Sequence, residues 1–312
     1  MRRYSGYLFI LLAAVCWGLI GPSTRFALAD GFTSLEVAFW RAAIACMFFF
    51  LHCARAGTLK VHSPRDLGAF GLFGVIAIAS FFACYQYAVQ TGGVALASVL
   101  LYTAPAWVAL FSRIVYAEGL TGGKLAAIAM VLGGVILISL SGAAPAAPPD
   151  SQGALSGTDN AAAGDPAAFF PLAGVFFGLM SGLLYSTHFI FTKKYLNRYT
   201  AFTIYGYGTF FATLSMLPFV SFSTGTATGW AALLFLGLVC TYAGYWAYCE
   251  GLKRLAPTRA AVLATLEPVV ATATAWWLWD ERFTTVGWVG AALVVGAVLV
   301  LVLEHGRTVK CN

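Results

Sequence analysis

Part of this chain is written twice. A shift of 163 positions sets Pro105 on Pro268, Glu118 on Glu281, Thr121 on Thr284 and Gly133 on Gly296. The stretch from Gly93 to Leu140 aligns with Ala256 to Leu303 without a gap, and Tyr85 falls on Tyr248 at the same shift. A second match needs a different offset and sets Gly6 on Gly174, Trp17 on Tyr185, Thr24 on Thr192 and Arg25 on Lys193. Each copy holds five long apolar segments: 4–28, 34–54, 66–90, 94–116 and 122–141, then 170–192, 200–221, 229–251, 257–279 and 284–304. About 20 helical residues cross a bilayer core, so each segment is long enough to span. The matches pair helices 1 with 6, 3 with 8, 4 with 9 and 5 with 10. Helices 2 and 7 show no convincing match. An odd number of crossings sends the second copy through the membrane inverted, an arrangement found in transporters that open alternately to either side.

Composition agrees with a membrane chain. Of the 312 residues 60% are hydrophobic and 10% charged, with mean hydropathy +0.82, whereas soluble domains carry about 25% charged residues. The net charge of +6 is therefore read by position, and not as a nucleic-acid-binding surface. With the N-terminus inside, the inner segments hold Arg2, Arg3, Arg55, Lys60, Arg65, Arg113, Lys124, Lys193, Lys194, Arg198, Lys253, Arg254, Arg259, Arg307 and Lys310, fifteen of the 18 Lys and Arg. The positive-inside bias then places both termini in the cytoplasm. Ala27-Leu28-Ala29 resembles a signal-peptide cleavage site, but the apolar run before it exceeds the usual 7–15 residues, and the first segment reads as an uncleaved helix. The expected organisation is a first five-helix repeat at 1–141, an extracytoplasmic linker at 142–169 rich in Ala, Pro, Gly, Ser and Asp, and a second repeat at 170–312.

Pro105 and Pro268 lie about 11 residues into helices 4 and 9. A proline there removes a backbone hydrogen bond and kinks the helix, and two kinks at one depth mark candidate hinges beside a central path. Pro22 in helix 1 adds a third kink position, with Ile190 at its place in the second copy. Next to Pro268 stands Glu267, whose repeat mate is Ala104. A carboxyl near mid-membrane costs about 2.5–3.5 kcal/mol on insertion scales. It is either a ligand for a substrate ammonium or a protonation switch, or else a structural carboxyl bonded to hydroxyls such as that of Thr265. His188 in helix 6 is equally a substrate or proton group and a packing histidine. Arg41 in helix 2 reads as snorkelling to the outer interface.

The chain carries 25 Phe, 14 Tyr and 9 Trp. Trp276, Trp277, Trp279 and Trp288 read as an interfacial belt. Trp17, Tyr185, Tyr242, Tyr245 and Trp246 lie too deep for a belt, and Tyr85 and Tyr102 sit nearer the outer end. Buried Tyr and Trp need partners for their polar atoms, which a wet cavity supplies. The candidate substrate-binding set is therefore Trp17, Tyr85, Tyr102, Tyr185, His188, Tyr242, Tyr245, Trp246 and Glu267. Such walls suit an amphipathic cargo such as an amino acid with a large side chain better than a sugar phosphate. The seven cysteines show no C-x-x-C pairing and read as small buried hydrophobes. No metal cluster, phosphate loop, zinc-protease motif or nucleophile elbow occurs, so no cofactor, metal or enzyme chemistry is expected.

The residues Thr103-Ala104-Pro105 with Glu118, Thr121 and Gly133, and Leu266-Glu267-Pro268 with Glu281, Thr284 and Gly296, resemble the drug/metabolite transporter superfamily in its EamA branch, across essentially the whole chain. Within it the chain is most similar to the YddG-type bacterial exporters of aromatic amino acids. The resemblance implies a monomeric exporter of the bacterial inner membrane, working by alternating access. Helices 1, 3, 4, 6, 8 and 9 would line a cavity whose halves rock about Pro105 and Pro268. A multidrug or other metabolite carrier on the same fold is the alternative, followed by a membrane enzyme or receptor. Proton coupling and facilitated diffusion both remain open.

Overall fold

A computed structural model describes residues 4–140, 172–279 and 284–308; the 142–169 linker, Glu281 and Arg282 lie outside the described residues. Among the described residues every regular element is helical. The first half contributes α1 (Ser5–Ala29), α2 (Ser34–Ala56), α3 (Pro64–Val89), α4 (Leu96–Tyr116) and α5 (Gly122–Ser139). The second half begins with α6 (Leu172–Tyr195) and α7 (Ala201–Met216). It continues with α8 (Ala227–Arg254), α9 (Pro257–Leu278) and α10 (Thr285–Glu304). Nine of these are long and apolar enough to span a bilayer; α7 is shorter than the 200–221 segment predicted. Pro218 has no N–H to continue the ladder, and the chain finishes in a 3₁₀ turn at Leu217–Phe219. Trp276, Trp277 and Trp288 are exposed on the bundle surface.

The ten helices form two inverted repeats, and their packing is the same read from either half. Helix α1 lies on α8 and α9, as α6 lies on α3 and α4. Helix α2 lies on the middle of α8, as α7 lies on the middle of α3. The pairs α2–α7, α4–α9 and α5–α10 cross the pseudo-two-fold. The repeat also appears in backbone detail. A π-helical stretch interrupts α3 at Phe73–Ser80 and α8 at Leu236–Ala243, again one repeat length apart.

Three helices are broken at mid-length by one rule. Tyr102 in α4 (φ −77°, ψ 8°) and Thr265 in α9 (φ −69°, ψ 5°) leave helical geometry, and Leu19 in α1 (φ −81°, ψ −6°) marks a milder lapse that stays in the right-handed region. Each stands three residues before a proline, at Pro22, Pro105 and Pro268. A proline cannot donate to the carbonyl four residues back and its ring crowds that turn. Threonine hydroxyls then occupy neighbouring carbonyls: Thr103 Oγ1 donates to Leu100 O (2.6 Å) and Thr265 Oγ1 to Val262 O (2.5 Å). Helix α6 has no proline at the place matching Pro22 and runs unbroken.

At two breaks a glycine of the opposite half admits the disturbed turn. A Cβ on Gly18 would stand 2.6 Å from Val270 Cβ and 2.8 Å from Glu267 O; one on Gly182 would stand 2.6 Å from Leu100 O and 2.7 Å from Thr103 Oγ1. Gly18→Val and Gly182→Val are therefore each expected to destabilise the protein by about 1–3 kcal/mol. At Gly133 nothing lies within 4 Å, and Gly133→Ala should be tolerated. Thermal melting of the purified variants in one detergent checks both statements.

Carboxylates tie the halves together at both ends. At the end where α1 finishes, Asp30 accepts from Thr226 N and Oγ1 (2.6 Å each), and Glu36, within a capping box with Thr33, accepts from Ser223 N (2.5 Å) and Oγ (2.8 Å). At the other end Asp66 accepts from the Tyr199 hydroxyl (2.6 Å) and pairs with Arg198 (3.4 Å). There too Glu118, on the α4–α5 turn, is paired with Lys124 (2.7 Å), accepts a short bond from Ser112 Oγ, and faces Thr258 N at the start of α9 (3.5 Å).

Candidate functional site

The middle of the bundle is built on the π segments and the breaks. His188 of α6 points Nε2 at Ala77 O (2.6 Å), inside the α3 π stretch. A carbonyl only accepts, so Nε2 carries the proton; Nδ1 faces the Tyr205 hydroxyl at 3.5 Å. The imidazole is buried and stacks near Tyr245 (6.0 Å, 21°), while Tyr245 stacks on Tyr205 (4.1 Å, 15°). Trp17 of α1 closes this stack against Tyr245 (5.7 Å) and Tyr248 (5.4 Å). On the other side Tyr185 meets His188 (5.8 Å) and Phe81 (5.4 Å). Aromatic pairs at these separations contribute about 0.5–1.5 kcal/mol each beyond their buried area, so the wall is stiff.

Glu267 is the first residue of the second half of α9, where the break exposes the positive end of a short helix. It keeps part of its surface accessible. Among the described residues no side chain donates a hydrogen bond to its carboxylate; Thr265, the structural partner considered above, spends its hydroxyl on Val262 O. Tyr85, Tyr102, Tyr185 and Tyr245 all lie within its electrostatic reach, and Arg41 is the cation that acts on it. Tyr102, Pro105, Tyr185, Ala264 and Thr265 bound a crevice between the α4 and α9 breaks, too narrow for water.

The structure thus gathers Trp17, Tyr85, Tyr102, Tyr185, His188, Tyr245 and Glu267 around one centre, with Pro105 and Pro268 just beyond the two breaks. It does not bring in Tyr242 and Trp246. The Tyr242 hydroxyl bonds His52 Nδ1 (3.0 Å) and its ring packs on Phe49 (5.0 Å), between α2 and α7. Trp246 packs edge-on against Phe9 of α1 (5.7 Å). Both lie on other faces of α8 than Thr241, Tyr245 and Tyr248, because successive helical residues turn by about 100°.

Arg41 corrects the sequence reading. It does not snorkel outward: Nε donates to Thr241 Oγ1 on the α8 π stretch (2.9 Å), and the guanidinium lies 5.0 Å from the Phe82 ring centre. Its charge acts on Tyr185, His188 and Tyr245 as well as Glu267. The signal was available, since a lone cation in an apolar helix marks a site by default. Tyr205 was missed for a different reason: it belongs to α7, for which the repeat offered no partner.

The centre holds one carboxylate, one guanidinium and an aromatic wall, which is equipment for binding. Comparisons agree. An uncharacterized transporter of Archaeoglobus fulgidus is 27% identical over 300 residues, covering 96% of each chain. A protein of Streptantibioticus cattleyicolor named as a probable terminal-alkyne amino-acid exporter is 24% identical over 303 residues, covering 94% of this chain and 91% of its own. A solved crystal structure that is 18% identical superposes with a TM-score of 0.78 over 97% of this chain and 98% of its own, which shows the shared fold. The sequence model of the EamA-like transporter family matches residues 4–140 and again 172–303, so the chain belongs to the EamA-like transporter family.

Proposed function

We propose that this transporter exports amino acids with large, chiefly aromatic side chains, and related small metabolites, in the manner of the YddG-type branch. The observation that carries this reading is the Glu267 carboxylate, held at the start of a half-helix, without a hydrogen-bonding side chain among the described residues, and with four tyrosines in its electrostatic reach. Half-helix ends at mid-membrane are where secondary transporters place their cargo. An ammonium group satisfies the carboxylate, and an aromatic side chain fits the wall of Trp17, Tyr185 and Tyr245. The exporter named for amino acids in Streptantibioticus cattleyicolor supports the same class. The units 1–141 and 170–312 rock about the breaks before Pro105 and Pro268, joined by the 142–169 linker. The distribution of basic residues supports cytoplasmic termini, and the chain is read as a monomeric protein of the bacterial inner membrane.

Efflux from proteoliposomes tests it, using a panel of labelled amino acids and lipophilic cations with and without an imposed pH gradient. Preferential efflux of aromatic amino acids supports the reading. Transport of the cations alone replaces it with a multidrug carrier, and unchanged transport in Glu267→Ala and Trp17→Ala removes the site. The gradient arm separates proton coupling from facilitated diffusion.

A further inference from the structure

Two opposite charges stand in the middle of the bundle and are not paired. Among the described residues, no carboxylate lies within ion-pair distance of Arg41 and no cation within that distance of Glu267, yet each acts on the other. A charge at membrane depth is costly, and direct pairing would offset much of that cost. Holding both charges apart leaves each free to take an opposite charge from a ligand.

Arg41 is also aimed. Thr241 Oγ1 donates to Leu236 O (2.8 Å), which fixes the hydroxyl and turns its lone pair to Arg41 Nε (2.9 Å). Phe82 supports the guanidinium plane at 5.0 Å. Nε is spent in this way and a further N–H faces the Tyr245 hydroxyl, which leaves others of the five guanidinium N–H groups for a ligand. Arginine presents such groups as a planar fork that matches a carboxylate.

We infer that Arg41 is a substrate-binding residue: it takes the carboxylate of the cargo while Glu267 takes the ammonium, so the site selects free zwitterionic amino acids. This rests on the reading above that amino acids pass through this centre. Neither the amine nor the N-acylated acid derived from the same side chain satisfies both charges, and each leaves one buried group uncompensated.

The test is efflux of three probes that share one side chain: phenylalanine, phenethylamine and N-acetylphenylalanine. The wild-type protein should prefer phenylalanine over both others. Arg41→Gln should lower phenylalanine efflux about 10- to 100-fold, the range for a lost hydrogen bond to a charged group, while phenethylamine efflux holds or rises. Glu267→Gln should do the mirror image, sparing N-acetylphenylalanine. Arg41→Lys should restore part of the loss, and Thr241→Val should imitate a mild form of Arg41→Gln by freeing the guanidinium. Melting temperatures of all variants show that they are folded. An equal fall for all three probes in Arg41→Gln makes Arg41 structural and overturns the inference, as does wild-type transport of phenethylamine as fast as phenylalanine. Both of those results leave amino-acid export standing. If the wild type carries lipophilic cations but no amino acid, the proposed function itself fails.

Discussion

Glu267→Gln should cut amino-acid efflux by about 100-fold while making the protein harder to melt. The amide keeps the shape of the carboxyl and removes its charge. The loss in transport follows from the charge-assisted bond to the cargo ammonium, for which about 1.5–3 kcal/mol is typical. The gain in stability follows from the cost of holding an anion at mid-membrane depth, about 2.5–3.5 kcal/mol, only part of which the half-helix end and Arg41 offset. The two changes point in opposite directions, and that opposition is the diagnostic. Sites kept for binding at the expense of stability respond in this way; a carboxylate kept for structure would lose both when neutralised. Efflux assays and thermal melting on the same preparation decide between them. A melting temperature lowered by several degrees with transport intact would sink the assignment.

The second large effect belongs to Glu118. Its side chain and that of Lys124 are 8% and 7% exposed, so each is the other's solvent. Among the described residues, Lys124→Met leaves a buried carboxylate bonded to Ser112 and the Thr258 amide, with the Lys193 charge at a distance, and should destabilise by about 3–5 kcal/mol, the usual cost of breaking a buried pair. The double variant Glu118→Gln/Lys124→Met should recover most of that loss. Burial alone would raise the Glu118 pKa, but the hydrogen bonds from Lys124 and Ser112 and the Lys124 charge outweigh it and hold the pKa below its ordinary 4.5. A depressed carboxyl pKa contributes stability that is fully present above the unfolded value and lost as pH falls through the folded one. Melting temperature should therefore show no Glu118 contribution to its slope between pH 7 and 5. It should drop below about pH 4.5, and Glu118→Gln should flatten that drop. A drop of equal size in wild type and Glu118→Gln would show that the pair is not its source.

How far the sequence disclosed this molecule depends on what kind of feature is asked for. Spans follow from composition, because lipid penalises every unpaired polar group over a known length. The breaks in α4 and α9 follow from Pro105 and Pro268, since a proline acts on its own chain locally and predictably. The centre was half legible: Glu267 betrayed itself by its cost, and the aromatic wall by its depth. What sequence could not supply is rotation about a helix axis. Tyr242, Tyr245 and Trp246 look alike on paper, and only the packing of α8 against α1, α2 and α7 turns Tyr245 inward. The same ignorance sent Arg41 outward to the interface, where packing turns it to Thr241. The π stretches were invisible for another reason: Phe73–Ser80 and Leu236–Ala243 are apolar runs that a plain α-helix would accept equally well.

Those two stretches carry a date. A π turn accommodates one residue more than the α-helical turn it replaces, so its simplest origin is a single inserted residue. Two separate insertions would have had to strike the same turn of both halves, one repeat length apart. Common descent needs only one, made before the gene was doubled. On that account the widened turn already belonged to the five-span segment that was doubled. The wide turns are older than the protein that now contains them.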